Sequence, residues 1–202
     1  MKILIGTPIH ETKDYAMERW IQNVSRLEYP ADLLMVDNSP TPDYVKKVKG
    51  YCTKYGIKNY RIEYINFDQG MTINEKDLRI EKCQEIIRQE VLTGGYDAWF
   101  SWECDQIIPT DSLVKLMNLM NAGNFMMVVH NSWARNNPEE FNPDMGVALI
   151  KREALEKHGF LADEGFEHWK GGDRWFKERV FRSGGNYIDV YGLISPIYHL
   201  DK

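Results

Sequence analysis

Glu103 and Asp105, separated by one residue, close a strongly apolar stretch, Trp99-Phe100-Ser101-Trp102. A carboxylate buried among apolar side chains is costly unless it is paired or bound to a metal. Two of them at the tip of an apolar strand therefore call for a cation. At the carboxyl end of a strand in an α/β sheet, the usual occupant is a divalent metal that holds a phosphate-bearing ligand. Residues i and i+2 of a straight strand share a face, so both carboxylates can reach one ion. The plainer alternative makes Asp105 the start of a turn and Glu103 an exposed strand end. The flanking aromatics favour a central strand.

The elements that must position this pair follow from the hydrophobic pattern. Residues 2–6 form a short apolar run closed by Gly6-Thr7-Pro8, a first core strand. Met17, Trp20, Ile21, Val24 and Leu27 recur at helical spacing. Residues 33–36 give a second buried strand, broken by Asp37-Asn38-Ser39-Pro40, and residues 44–55 a weaker helix. A third strand is expected over 60–67 and a long helix over 75–92, with Ile80, Cys83, Ile87 and Val91 on one stripe. The acidic strand over 97–103 follows. Beyond it we expect a helix through Leu113, Leu116, Met117 and Met120, then strands over 125–129 and 146–150. A short helix over 153–158, a helix over 173–183, a strand over 186–190 and an extended tail over 195–200 complete the pattern. This alternation predicts an α/β fold with a mostly parallel sheet covered on both faces.

The length of 202 residues suits one domain, with a nucleotide-binding half over 1–109 and an acceptor-facing half over 110–202. The net charge of −5, from 25 basic and 30 acidic residues, argues against a nucleic-acid partner. It also means that an anionic ligand needs a local basic group or a metal. Cys52, Cys83 and Cys104 are too few and too scattered for a disulfide framework, which points to a reducing cytosol. No run approaches the roughly 20 apolar residues of a membrane helix. We expect a cytoplasmic protein with no transmembrane segment, able to associate peripherally with a membrane that carries a lipid-linked acceptor.

Several short pieces, in order, resemble one family. Thr7-Pro8 follows strand one, Val36-Asp37-Asn38-Ser39 ends strand two, and Trp102-Glu103-Cys104-Asp105 ends strand four. Trp169-Lys170-Gly171-Gly172-Asp173 opens a helix, and His199 follows the last strand. The set resembles nucleotide-sugar glycosyltransferases of the GT-A fold, closest to the family-2 type, over nearly the whole chain. The resemblance implies a single Rossmann-like, mostly parallel sheet with a small acceptor-side region. It also implies transfer of a sugar from a UDP- or GDP-linked donor to a hydroxyl on a glycan, lipid-linked or protein acceptor.

By that resemblance Thr7 and Pro8 line the base, Asp37 reads base or ribose, and Arg79 approaches the diphosphate. Glu103-Cys104-Asp105 stands where the family carries its DxD signature. Glu103 and Asp105 would then hold Mn²⁺ or Mg²⁺, and a late histidine, here His199, would complete the site; an imidazole ligand tilts the choice towards Mn²⁺. Asp173 takes the place of the base that deprotonates the acceptor in inverting members, with Asp163 and Glu164 in reserve. Trp133 and Trp169, with His168, are candidates for an acceptor platform. Each residue has a plainer reading: Asp37 in a turn, Asp173 as a helix N-cap, Arg79 in an exposed helical pair, His199 near a frayed end. His10, His130 and His158 read as structural. Two other functions compete. A sugar nucleotidyltransferase would want a glycine-rich loop after strand one, where this chain offers Gly6 alone. A non-catalytic module that binds a nucleotide sugar or glycan would suit so short a chain.

Overall fold

The computed structural model describes residues 1–67, 73–130, 145–161 and 171–201, with backbone alone over 73–77. In chain order the elements are β1 (Ile3–Ile9), a 3-10 turn (Glu11–Lys13), α1 (Asp14–Val24), β2 (Asp32–Asp37), α2 (Asp43–Lys54) and β3 (Tyr60–Tyr64). Then come α3 (Ile73–Thr93), β4 (Ala98–Trp102), β5 (Gln106–Ile107), α4 (Ser112–Ala122) and β6 (Met127–His130). The chain closes with β7 (Val147–Lys151), α5 (Arg152–Lys157), α6 (Gly171–Arg182), β8 (Tyr187–Val190) and β9 (Tyr198–His199).

Seven strands form one sheet in the order β3-β2-β1-β4-β7-β6-β8. Only β7 runs antiparallel to its neighbours, pairing so with β4 and β6. The acidic strand is the middle one, as its aromatic sequence predicts. Alternation along β4 sends Phe100 and Trp102 to one face and Trp99 to the other. On the first face they join Met17, Trp20 and Ile21 of α1, Val48 of α2 and Leu113, Leu116 and Met120 of α4. On the second, Trp99 packs with Cys83, Ile87 and Val91 of α3 and Phe176 and Val180 of α6. The sheet is thus covered on both faces.

Three boundaries differ from the sequence reading in ways that matter. β1 runs on to Ile9, so Thr7 and Pro8 lie within a strand and the loop begins at His10. Pro8 is tolerated there although it lacks an N–H, and both β1 partners are parallel. β4 stops at Trp102, before the carboxylates. The tail expected over 195–200 contains β9, which pairs antiparallel with β5 through Gln106↔His199 and Ile107↔Tyr198. Two-residue strands carry no periodicity, so the pattern held no sign of this second sheet.

Gly6 in β1 has no room for a side chain. A Cβ there would lie 2.3 Å from Ile87 Cγ2 and 2.6 Å from Trp99 Nε1, and the indole donates to the Gly6 carbonyl at 3.0 Å. Gly6→Ala should lower stability by about 1–3 kcal/mol through overpacking, read as a lower urea midpoint; an unchanged midpoint would show that α3 and Trp99 yield freely.

Candidate functional site

The two carboxylates are brought together by a turn. The Gln106 N–H donates to the Glu103 carbonyl at 3.2 Å, and the Trp102 indole donates to the Gln106 carbonyl at 2.9 Å. The Glu103 N–H is held by the Gly146 carbonyl at 2.8 Å. Within the turn Cys104 faces the core, where burial pushes its thiol well up. Glu103 and Asp105, its neighbours in the turn, are the residues whose carboxylates converge.

The expected partner across the site is present. β9 lies along β5, and the Leu200 N–H donates to the Asp105 carbonyl at 2.8 Å. This places His199 Nε2 3.1 Å from Asp105 Oδ2. Glu103, Asp105 and His199 each offer one ligand atom, and these atoms all lie within 4.8 Å of one another. Asp105 is 1% exposed. Burial raises the Glu103 carboxyl to about 7, and the charge of Asp105 pushes it the same way. Two carboxylates and an imidazole, converging and partly desolvated, fit a small divalent cation that accepts oxygen and nitrogen ligands. Electrostatics point the same way, because the two acidic groups destabilise each other until a cation sits between them.

One cation is already at hand. The Lys13 ammonium bonds to Asp105 Oδ2, and the Tyr15 hydroxyl donates to the same oxygen at 3.3 Å. Burial pulls the Lys13 ammonium down while Asp105 pulls it up, with a net rise. Lys13 was missed in the sequence reading, which looked for a glycine-rich loop after strand one. The available signal was that Lys13 is the first basic residue after that strand, in a chain whose net charge makes local basic groups informative.

α1 braces this assembly. Trp20 stacks obliquely on Trp102, ring centroids 5.1 Å apart, immediately before Glu103. Asn23 grips the backbone just beyond β5: its Nδ2 donates to the Ile108 carbonyl at 2.9 Å and its Oδ1 accepts the Ile108 N–H at 2.8 Å.

The remaining candidates are spread along the carboxyl edge. Asp37 ends β2 and is fully buried. Its Oδ1 accepts both the Ser39 N–H at 2.9 Å and the Ser39 hydroxyl at 2.6 Å, so it does cap a turn. Its Oδ2 is buried with no partner among the described residues, and burial raises its pKa. The turn reading and the ligand reading thus use different oxygens of one carboxylate. Thr7 is 1% exposed, its hydroxyl turned to the Pro8 carbonyl at 3.3 Å. Arg79 lies in the N-terminal half of α3. Trp133 and Trp169, with Asp163, Glu164 and His168, fall outside the described residues. His130 is buried at the end of β6, its pKa lowered to about 4 by burial.

Asp173 stands in the first turn of α6. Gln84 of α3 donates to its Oδ1 at 2.5 Å and the Met145 N–H to its Oδ2 at 3.0 Å. Its charge helps raise Glu103, which puts it in electrostatic reach of the acidic turn. The two preceding glycines differ in what surrounds them. A Cβ on Gly172 would lie 2.6 Å from Glu81 Cγ, so this glycine lets α6 close on α3, and Gly171 takes a left-handed φ of +67°.

The fold has solved counterparts. A mannosyltransferase from Pyrobaculum calidifontis, PcManGT, in complex with GDP-Man and Mn²⁺, superposes with a TM-score of 0.72 over 95% of this chain at 14% identity. S. aureus TarS 1-349 in complex with UDP superposes at 0.68 over 94% at 12% identity. The chain has the GT-A fold of nucleotide-sugar glycosyltransferases. It spans 55% of the first of those chains and 61% of the second. A third GT-A structure, TarS 1-349 with UDP-GlcNAc, superposes at 0.56 over 77% of this chain at 11% identity, spanning 47% of its own. No known family's sequence pattern matches the chain, and neither does any curated protein. No helix of this GT-A chain, among the described residues, is long and apolar enough to cross a membrane.

Asn23→Leu keeps the branched side-chain shape but leaves both Ile108 backbone groups buried and unpaired. It should cost about 1–3 kcal/mol in urea unfolding and also weaken Mn²⁺ binding, because the turn loses its far anchor. Stability loss without any change in Mn²⁺ affinity would separate the brace from the site.

Proposed function

We propose that this protein is a metal-dependent glycosyltransferase that moves a sugar from a UDP- or GDP-linked donor to a hydroxyl acceptor, with inversion and with Asp173 as base. The observation that carries the reading is the convergence of Glu103, Asp105 and His199 at the carboxyl edge of the sheet, where α/β folds bind nucleotides. Asp105, His199 and Glu103 would hold Mn²⁺ or Mg²⁺. When bound, that ion supplies charge neutralisation for the diphosphate leaving group. Asp37 would use its spare buried oxygen to accept a base N–H or ribose hydroxyl, with Thr7 and Pro8 beside it. Arg79 would offer its forked donors to phosphate. Trp133 and Trp169 remain candidates for the acceptor, which would be a glycan, lipid-linked or protein hydroxyl. Residues 1–109 would serve as the nucleotide half and 110–202 as the acceptor half. A cytoplasmic location is part of the same reading.

The setting of Asp173 qualifies its role. Both of its oxygens already accept hydrogen bonds, from Gln84 and from the Met145 N–H, so the acceptor hydroxyl must share an engaged carboxylate and orientation must supply much of the rate. Asp173→Asn should keep donor binding and lower transfer by roughly 10²–10⁴-fold, measured with a panel of acceptors; undiminished transfer would move the base elsewhere.

A second reading is a non-catalytic module that binds a nucleotide sugar or glycan. Titration calorimetry with UDP and GDP, with and without Mn²⁺, should give micromolar binding of one nucleotide. The binding should disappear when the metal is withheld or when Asp105→Ala is used. Absence of binding in every arm would overturn the transferase reading and leave of the second only a glycan binder, and nucleotide binding without donor turnover would select the second. A nucleotidyltransferase would instead release pyrophosphate from a nucleoside triphosphate.

A further inference from the structure

Three donors crowd one atom. Lys13 Nζ, His199 Nε2 and the Tyr15 hydroxyl all meet Asp105 Oδ2. The Asp105 side chain is 2% exposed, whereas that of Lys13 is 41% exposed. The carboxylate is fixed, while the ammonium reaches in from the surface at the end of the 3-10 turn and has solvent to return to. A divalent cation bound to Asp105 Oδ2 and His199 Nε2 would take the place of the ammonium. Like charges at contact distance repel strongly in a partly desolvated site.

Resting on the reading of Glu103, Asp105 and His199 as a cation site, we propose that Lys13 is an internal competitor for the metal: it holds Asp105 when no metal is bound, and a nucleoside diphosphate draws it away. The second half follows from position. Lys13 lies in the loop after β1, at the sheet edge where α/β folds place phosphates. A diphosphate at the metal would offer the displaced ammonium a new anionic partner. Metal and nucleotide then assist each other, because each removes an obstacle to the other, and such coupling is reciprocal. Bare metal binds poorly, and the site is completed when both components are present.

The test is calorimetric titration of Mn²⁺, alone and with saturating UDP or GDP, into wild type, Lys13→Met, Lys13→Arg and Lys47→Met. Lys47 pairs with Asp14 at 2.6 Å, so Lys47→Met removes an equal charge from the same region without touching Asp105. Lys13→Met should bind Mn²⁺ alone about tenfold more tightly, the factor released if lysine occupies the carboxylate about nine-tenths of the time. The tightening of Mn²⁺ binding by nucleotide, large in wild type, should shrink in Lys13→Met by the same factor. Lys13→Arg should behave like wild type, and Lys47→Met should leave Mn²⁺ affinity unchanged. Thermal unfolding of each variant without metal confirms that the fold is retained.

Equal Mn²⁺ affinity in Lys13→Met and Lys47→Met would overturn the inference, since any change would then be one of general field. If a nucleotide still bound in that case, the proposed function would survive. If neither nucleotide bound while Lys13→Met still gained Mn²⁺ affinity, the competition would stand and the transferase reading would fall. Absence of Mn²⁺ binding in every variant would overturn both.

Discussion

A buried carboxylate has to be neutralised, and Asp105 is the point from which the rest of this site can be understood. It sits just beyond the middle strand of the sheet, almost wholly out of solvent, with Glu103 beside it. Left alone, that pair would be expensive. The fold answers from three directions: a lysine from the loop after β1, a histidine from the end of the chain, and a tyrosine from the first turn of α1. Each arrives on a different element, and each is held there by packing that has no direct part in the chemistry.

That packing centres on α1 and the aromatic strand. Trp102 has two tasks: its ring seats Trp20 and its indole N–H closes the acidic turn on Gln106. Asn23, one turn further along the helix, fixes the chain as it leaves β5. The turn is therefore pinned on both sides by one helix, and that helix begins directly after Lys13. Positioning of the basic loop and of the acidic turn is one structural problem with one solution. On the other face, Gly172 brings α6 against α3, so that Gln84 and the Met145 amide fix Asp173 from two sides.

Most of the sheet was legible in the sequence because β4 and its neighbours have strong apolar periods, and the βαβ alternation leaves few topologies. The acidic pair was legible through its types and spacing, although the reason first given for its convergence was mistaken: a turn does the work that a straight strand was expected to do. His199 was reachable only through a family resemblance, since two-residue strands such as β5 and β9 leave no pattern. Lys13 was overlooked because one lysine in a polar loop looks like any solvated residue until tertiary structure shows what it touches. The packing role of Gly172 was equally hidden, because only the tertiary structure shows that α3 fills the space where its side chain would stand.

The pairing of β5 with β9 is what joins the two ends of the site. Asp105 and His199 are 94 positions apart, with four strands and three helices between them among the described residues. His199 thus reaches the acidic turn through a pairing that lies outside the seven-stranded sheet, so loosening the tail would withdraw the imidazole and leave the sheet's own ladders in place.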